Sequence, residues 1–333
     1  MSGDVIVTVT LNAALHVDYT TGELAAEGIN PVSRPSYRAG GRGVTVARVL
    51  RVFGHDVLAA GLAGGASGEL IREDLAKSGV PTAFTLIRGE SRRFFRFAGQ
   101  EPAGPVMRFA EPGPYITTEE LGRFAADYRR LMTGAAAVVL CGSLPDGLPS
   151  DTYGSLVTYA AEAGVPVILD AGGEELKHAV GHGPDLVVAE TNSAGPGPEV
   201  LGADLIRLGA GAAAVAVGGL VRVVTPNGDW TARVQATDVT GITDVTGITG
   251  VTGTDPAYPP ARGALVAGLV PGQLLGWSWP DRLRHALALA AGGAGAWTRA
   301  PGGPEEPDRV DLAAYERLLD AVRVEPSAGS PLG

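Results

Sequence analysis

The sequence predicts an α/β protein, a mostly parallel sheet between two layers of helices, with a small second sheet over one end. Three observations carry this. Short β-branched runs alternate with helical stretches almost from the start, the pattern of βα units and a parallel sheet. Runs such as 57–63 and 136–141 are apolar throughout, as strands covered on both faces must be. Two segments, about 12–38 and 88–112, break the alternation with shorter, more polar, arginine- and aromatic-containing stretches. These are expected to pair as the accessory sheet of a single domain spanning 1–333.

Taken in order, Val5 to Asn12 is a strand-like β-branched run. The mixed segment His16 to Ser36 leads to the turn Ala39-Gly40-Gly41-Arg42-Gly43, from which Val44, Ala47, Leu50 and Val52 begin a helical apolar stripe. Glycines there let the main chain approach a ligand closely, and free amides at a helix start attract an anion. Val57 to Ala63 reads as a buried strand and Gly68 to Ser78 as a helix. Phe94 to Phe97 and Val106 to Phe109 are short strands of the accessory sheet. Alternation resumes with a helix at 117–132, a strand at 136–141, a helix at 150–163 and strands at 165–170, 186–188 and 214–217. Helices are expected at 262–269, at Asp281 to Trp297 and at Tyr315 to Val324, with a frayed tail from Ser327.

Composition narrows the function classes. The chain has 333 residues, a formal charge of −10 and no apolar run of membrane-spanning length, which argues against nucleic acid and membrane partners. Its one cysteine, Cys141, suits a reducing compartment, and the start Met1-Ser2-Gly3-Asp4 lacks a secretory signal, so a cytoplasmic location is expected. None of the five histidines has metal-binding spacing. Lysine occurs only at Lys77 and Lys177, and eleven arginines fall between Arg34 and Arg108. A locally basic region in an acidic chain suits a small phosphorylated ligand, because arginine holds phosphate bidentately.

The segments Thr8 to Asn12, Ala39 to Gly43, Ser91-Arg92, Glu111 to Pro114, Cys141 to Gly147, Ile168 to Asp170 and Val217 to Gly219, in that order, resemble a known family. The chain is similar to the ribokinase-like sugar kinases of the PfkB family, nearest the 1-phosphofructokinase and tagatose-6-phosphate kinase branch. The resemblance implies a Rossmann-type three-layer α/β/α domain with a β-sheet lid, and transfer of the γ-phosphate of ATP to a sugar or sugar-phosphate hydroxyl with Mg²⁺. It implies that Gly40 and Gly41 contact sugar hydroxyls and Arg92 the substrate phosphate, that Gly142 and Ser143 lie beside the substrate, and that Asn192, Gly218 and Gly219 serve the nucleotide. Exposed lid strands imply a homodimer by strand pairing.

The departures fall where the chemistry is expected. His16 stands where the family carries a sugar-binding Asp, with Asp18 on the same strand face two residues further along. The family's Lys and Asn of the glycine turn are Arg42 and Thr45. The Glu of its Asn-x-x-Glu motif is Gly195, and the lysine two positions before that Asn is Glu190, a reversal of sign. Its Gly-Ala-Gly-Asp signature couples an amide anion hole to a general base. Counting back from the 262–269 helix puts Pro256-Ala257-Tyr258-Pro259 there; a gapped placement puts Thr252-Gly253-Thr254-Asp255 there and keeps Asp255 as the acid, about three residues further from the helix. Just before lies the repeat 237–254, Thr-Asp-Val-Thr-Gly-Ile twice and a third imperfect copy, read as a loop lengthened by duplication, with Asp238 and Asp244 solvated. Two functions therefore stand: an ATP-dependent kinase of a sugar phosphate such as fructose 1-phosphate, fructose 6-phosphate or tagatose 6-phosphate, and a catalytically inactive relative that binds such a ligand as a sensor or partner protein.

Overall fold

The computed structural model describes residues 5–32, 35–99, 106–192, 195–217, 219–234, 260–296 and 312–327. The 237–254 repeat, Asp255, the 256–259 stretch and Gly218 lie outside them. Among the described residues, ten strands form one sheet and four form another. In the large sheet β1 (Val5–Thr10) lies between β4 (Val57–Gly64) and β8 (Ala135–Cys141). Beyond β4 lies β5 (Thr82–Ile87); beyond β8 come β9 (Val167–Asp170), β10 (Leu186–Glu190) and β11 (Ala213–Val217), all parallel to β1. Each side chain's face follows from the two-residue period. Ala137, Val139 and Cys141 of β8 join one core, and Val138 and Leu140 the other.

Helices cover both faces. One layer holds α1 (Arg42–Val52), α2 (Gly65–Lys77), α7 (Pro260–Leu275), α8 (Trp279–Ala296) and α9 (Leu312–Ala321). The other holds α3 (Thr118–Met132), α4 (Thr152–Glu162), α5 (Gly173–Val180) and α6 (Pro198–Leu208). A reciprocal cap explains where α3 begins. The Thr117 side chain accepts from the Glu120 amide, and Glu120 in turn accepts from the Thr117 amide at 2.9 Å. Helices α7 and α8 pack closely because Gly268 faces Ala286, where even a methyl group would meet the Ala286 Cα at 2.5 Å.

The lid is the four-stranded sheet, in order β3 (Ser36–Gly40), β2 (Ala14–Thr21), β6 (Arg92–Gly99) and β7 (Val106–Ala110). It rises from the same edge as the ends of β1 and β4, and its inner residues Leu15, Val17 and Ala39 join the main core. Among the described residues, no helix is long and apolar enough to cross a membrane.

Several local expectations change. The second accessory segment, expected from about residue 88, begins its pairing only at Arg92, and 82–87 belongs to the large sheet as β5. A hairpin of β12 (Leu220–Thr225) and β13 (Gly228–Val234) extends the sheet antiparallel from β11. Its two-residue turn is Pro226-Asn227, and Gly228, at φ 145°, opens β13 opposite Thr225. The C-terminal helix stops at Ala321, and Val322–Pro326 is a strand, β14, pairing with β13. Buried Val322 and half-buried Val324 alternate with exposed Arg323 and Glu325, a period-two pattern that a helix would waste.

Candidate functional site

The chain leaves β1 toward β4 on one side, and β8 lies on the other, so the crossover direction reverses at the carboxyl end of β1. Open α/β sheets bind ligands at such points. A cleft of about 270 Å³ opens there, between the strand ends and the lid. Thr10, Asn12, Cys141, Gly142 and Ser143 line it from the sheet, Gly41 and Arg42 from the start of α1, and Ala14, His16, Arg92 and Phe94 from the lid. No carboxylate is among these residues.

Each side chain is positioned by its neighbours. Asn12 spans the cleft floor: its Nδ2 donates to Ser143 Oγ at 3.3 Å, and its backbone carbonyl accepts from Arg92 Nε at 3.3 Å. Asn12 Oδ1 is buried without a hydrogen-bond partner. The Arg92 guanidinium is half-buried, and burial lowers its pKa. Among the described residues no carboxylate pairs with it. Arg42 reaches back to Asp170, Nε to Oδ2 at 3.4 Å. The glycines of the turn are required sterically. Gly41 has φ 122°, and a Cβ on Gly43 would meet Thr10 Oγ1 at 2.4 Å, so α1 starts in contact with β1. A Cβ on Gly40 would meet the His16 ring at 1.9 Å.

Of the predicted residues, Gly41, Arg42, Arg92, Gly142 and Ser143 come together in the cleft wall. Gly40 stands behind His16, and Thr45 lies one turn into α1, its hydroxyl donating to the Gly41 carbonyl at 3.3 Å. Asp18 is not among the cleft-lining residues. Two residues beyond His16 it lies about 7 Å further out along β2. There it pairs in register with Arg96, and burial raises its pKa against the pull of the Arg96 and Arg38 charges. Asn192 follows β10 by two residues, and Gly219, at φ 81°, sits in the β11–β12 turn; neither lines the cleft.

Arg262, Asp170 and Glu190 carry the arrangement that motif reading missed. Arg262 lies in the first turn of α7, where no acidic residue stands. It is buried, and its Nε donates to Asp170 Oδ1 at 2.8 Å, Nη1 to Glu190 Oε2 at 2.8 Å and Nη2 to the Val188 carbonyl at 3.2 Å. Burial alone would lower its pKa, but the two carboxylate charges outweigh that and raise it. Glu190 is thus no free negative charge facing a phosphate. Its reversed sign is matched by the arginine opposite.

His16 adds no charge to the cleft near neutral pH. Burial, then the nearby Arg92, Arg38 and Arg48 charges, push its pKa down to about 3. An unfolded histidine takes up its proton near pH 6.5, the folded one only near 3. Between those values the unfolded state binds more protons, so stability is full above pH 6.5 and is lost as the pH falls. His16→Gln is expected to flatten the acid side of the stability profile by roughly 1.4 kcal/mol per pH unit between pH 6 and pH 4. Urea midpoints of both proteins at pH 7, 6, 5 and 4 measure this, and parallel profiles would refute it.

Comparisons with known proteins agree with this geometry. The model of the pfkB family of carbohydrate kinases matches residues 6–194. A tagatose-6-phosphate kinase of Staphylococcus epidermidis is 35% identical over 175 residues, 53% of this chain and 56% of the relative. The chain thus matches little more than half the length of that relative. The structure of a possible 1-phosphofructokinase of Thermotoga maritima superposes with a TM-score of 0.78 at 22% identity, covering 97% of this chain and 99% of the other. Escherichia coli phosphofructokinase-2 in complex with fructose-6-phosphate gives a TM-score of 0.71 at 22% identity, covering 86% of this chain and 93% of the other. At such identity the superpositions speak for the fold, and they agree with the ribokinase-like sheet and lid. With the family model covering more than half of its length, the chain belongs to the pfkB family of carbohydrate kinases.

Proposed function

We propose that the chain is an ATP-dependent phosphotransferase acting on a sugar or sugar phosphate, of the size and charge of fructose 1-phosphate, fructose 6-phosphate or tagatose 6-phosphate. The observation that carries this reading is the Arg92 guanidinium in a cleft that also holds Arg42, where among the described residues no carboxylate pairs with Arg92 and none lines the wall. A half-buried cation of that kind favours an anionic ligand.

In this reading Arg92 holds the substrate's phosphate, and Asn12, Gly142 and Ser143 receive its hydroxyls. Gly40, Gly41 and Thr45 set the close approach of the α1 turn, and Asp18 serves the outer end of the lid. Asn192, Gly218 and Gly219 serve the nucleotide, Gly219 at φ 81° allowing a close main-chain approach. ATP, when bound, supplies the transferred phosphoryl group. Asp255 takes the acceptor's proton in this scheme. A resident Mg²⁺ does not fit the Asp170–Glu190 pair, because the Arg262 guanidinium already lies between the two carboxylates. The lid is assigned a homodimer contact through its edge strand β7, where Met107 and Phe109 are exposed, in a protein of the cytoplasm.

A second reading, binding of a sugar phosphate without transfer, is favoured by one observation. The first turn of α7 offers no acid and presents a buried, fully paired arginine instead. Titrating the full chain with each of the three sugar phosphates, with and without ATP and Mg²⁺, while following heat and ADP release, separates the two. Turnover abolished by Asp255→Asn establishes the first; saturable sugar-phosphate binding with no ADP release establishes the second and ends the first for those substrates.

A further inference from the structure

A helix that begins over the ends of parallel strands draws anions, because its first amides are free and its dipole is positive there. In this chain two carboxylates converge on that corner: Asp170 ends β9, fully buried, and Glu190 ends the neighbouring β10. The first turn of α7 answers with Arg262. One guanidinium is surrounded by oxygens of three residues, Asp170 Oδ1, Glu190 Oε2 and the Val188 carbonyl, at 2.8, 2.8 and 3.2 Å. Two carboxylates and a backbone carbonyl around one centre are the hard oxygen donors that a divalent cation gathers. Here the centre is a planar cation that cannot dissociate or lose its proton.

The charges balance locally. Arg262 and Arg42 face Asp170 and Glu190, the Arg42 Nε lying 3.4 Å from Asp170 Oδ2. No net negative charge is left to recruit a metal. The family resemblance implies Mg²⁺, yet the Glu of the Asn-x-x-Glu motif is Gly195, and Arg262 holds one oxygen of each of the two carboxylates nearest the α7 start, Asp170 Oδ2 facing Arg42 Nε at 3.4 Å.

We propose that Arg262 is a built-in substitute for a protein-bound divalent cation, closing the Asp170–Glu190 pair so that these carboxylates hold no metal. The proposal is independent of whether the cleft transfers a phosphoryl group or only binds a ligand, since it is read by metal binding and not by turnover.

Manganese(II) is the probe, titrated into the full chain with the free ion followed by electron paramagnetic resonance. The wild-type chain is expected to show no stoichiometric site that depends on Glu190, so that Glu190→Gln leaves its titration unchanged. Arg262→Gln, neutral and of similar length, is expected to gain one site that binds manganese at least about tenfold more tightly than the wild type does. The double variant Arg262→Gln, Asp170→Asn is expected to lose it. A folded Arg262→Gln protein, checked by circular dichroism, that gains no site would overturn the proposal. So would a wild-type site abolished by Glu190→Gln, and that comparison decides the matter even if Arg262→Gln does not fold.

Discussion

Replacing Asp170 by alanine is expected to destabilise the protein by about 3–5 kcal/mol, the cost of stripping one partner from a buried ion pair. The size follows from what the substitution leaves behind. Asp170 is fully buried, and its carboxylate faces Arg262, whose side chain is 7% exposed, and Arg42, whose side chain is 25% exposed. Removing it leaves the Arg262 guanidinium with only Glu190 and the Val188 carbonyl, inside a core where an uncompensated charge is costly. A surface pair such as Lys177 with Glu174 offers the contrast: both side chains are about two-thirds exposed, and Glu174→Ala is expected to leave the urea midpoint essentially unchanged.

Urea denaturation of the two variants measures the difference. A double variant, Asp170→Leu with Arg262→Met, is expected to recover part of the loss, because replacing both charges by apolar groups removes the orphan. An Asp170→Ala midpoint equal to that of Glu174→Ala would mean that water reaches the cluster, and the buried-charge account would fail.

The sequence shows β1 and β8 plainly, because β-branched and alanine-rich apolar runs between helical stretches have few other uses in a chain of this kind. The cleft was readable for a related reason. Strand ends with small polar residues, Asn12 and the Gly142-Ser143 pair, and the glycine turn into α1 announce a place where main chain approaches a ligand. The β12–β13 hairpin carries a local turn signal, Pro226-Asn227-Gly228 after a β-branched run, but its loop is Pro226-Asn227 and not the Asn-Gly pair. Eight-residue α5 carried almost none, being shorter than the window over which helical periodicity accumulates.

Arg262 was illegible for a different reason. Its partners are 92 and 72 residues away in the chain, and only the parallel order of β9 and β10 brings them beneath the first turn of α7. Read alone, Glu190 is a misplaced negative charge and Arg262 an ordinary helix-start residue. Together they form one compensated pair, a relation carried by topology and not by any local pattern. Asp18 shows what strand periodicity leaves open: it shares the face of His16, but face is not reach, and Ala14 and His16 line the cleft while Asp18 lies further out along β2.

Arg92→Ala is expected to weaken sugar-phosphate binding by about 2–3 kcal/mol, roughly 30- to 150-fold, the loss of hydrogen bonds from a charged donor to a charged acceptor. The neighbouring Arg93 supplies the control. It lies next along β6, so its side chain points to the other face of the lid, where Nη2 and Nε hold Glu111 at 2.8 and 3.0 Å. Arg93→Ala removes the same charge from the same strand, yet should change affinity by less than about threefold, since an exposed, already paired cation adds little beyond a screened field. Arg92→Lys should recover only part of the affinity, because an ammonium cannot offer the two parallel donors of a guanidinium. Calorimetric titration with fructose 1-phosphate, fructose 6-phosphate and tagatose 6-phosphate at fixed salt distinguishes the cases. Equal losses for Arg92→Ala and Arg93→Ala would show that only the general positive field of the lid matters, and the cleft would no longer be assigned as the phosphate site.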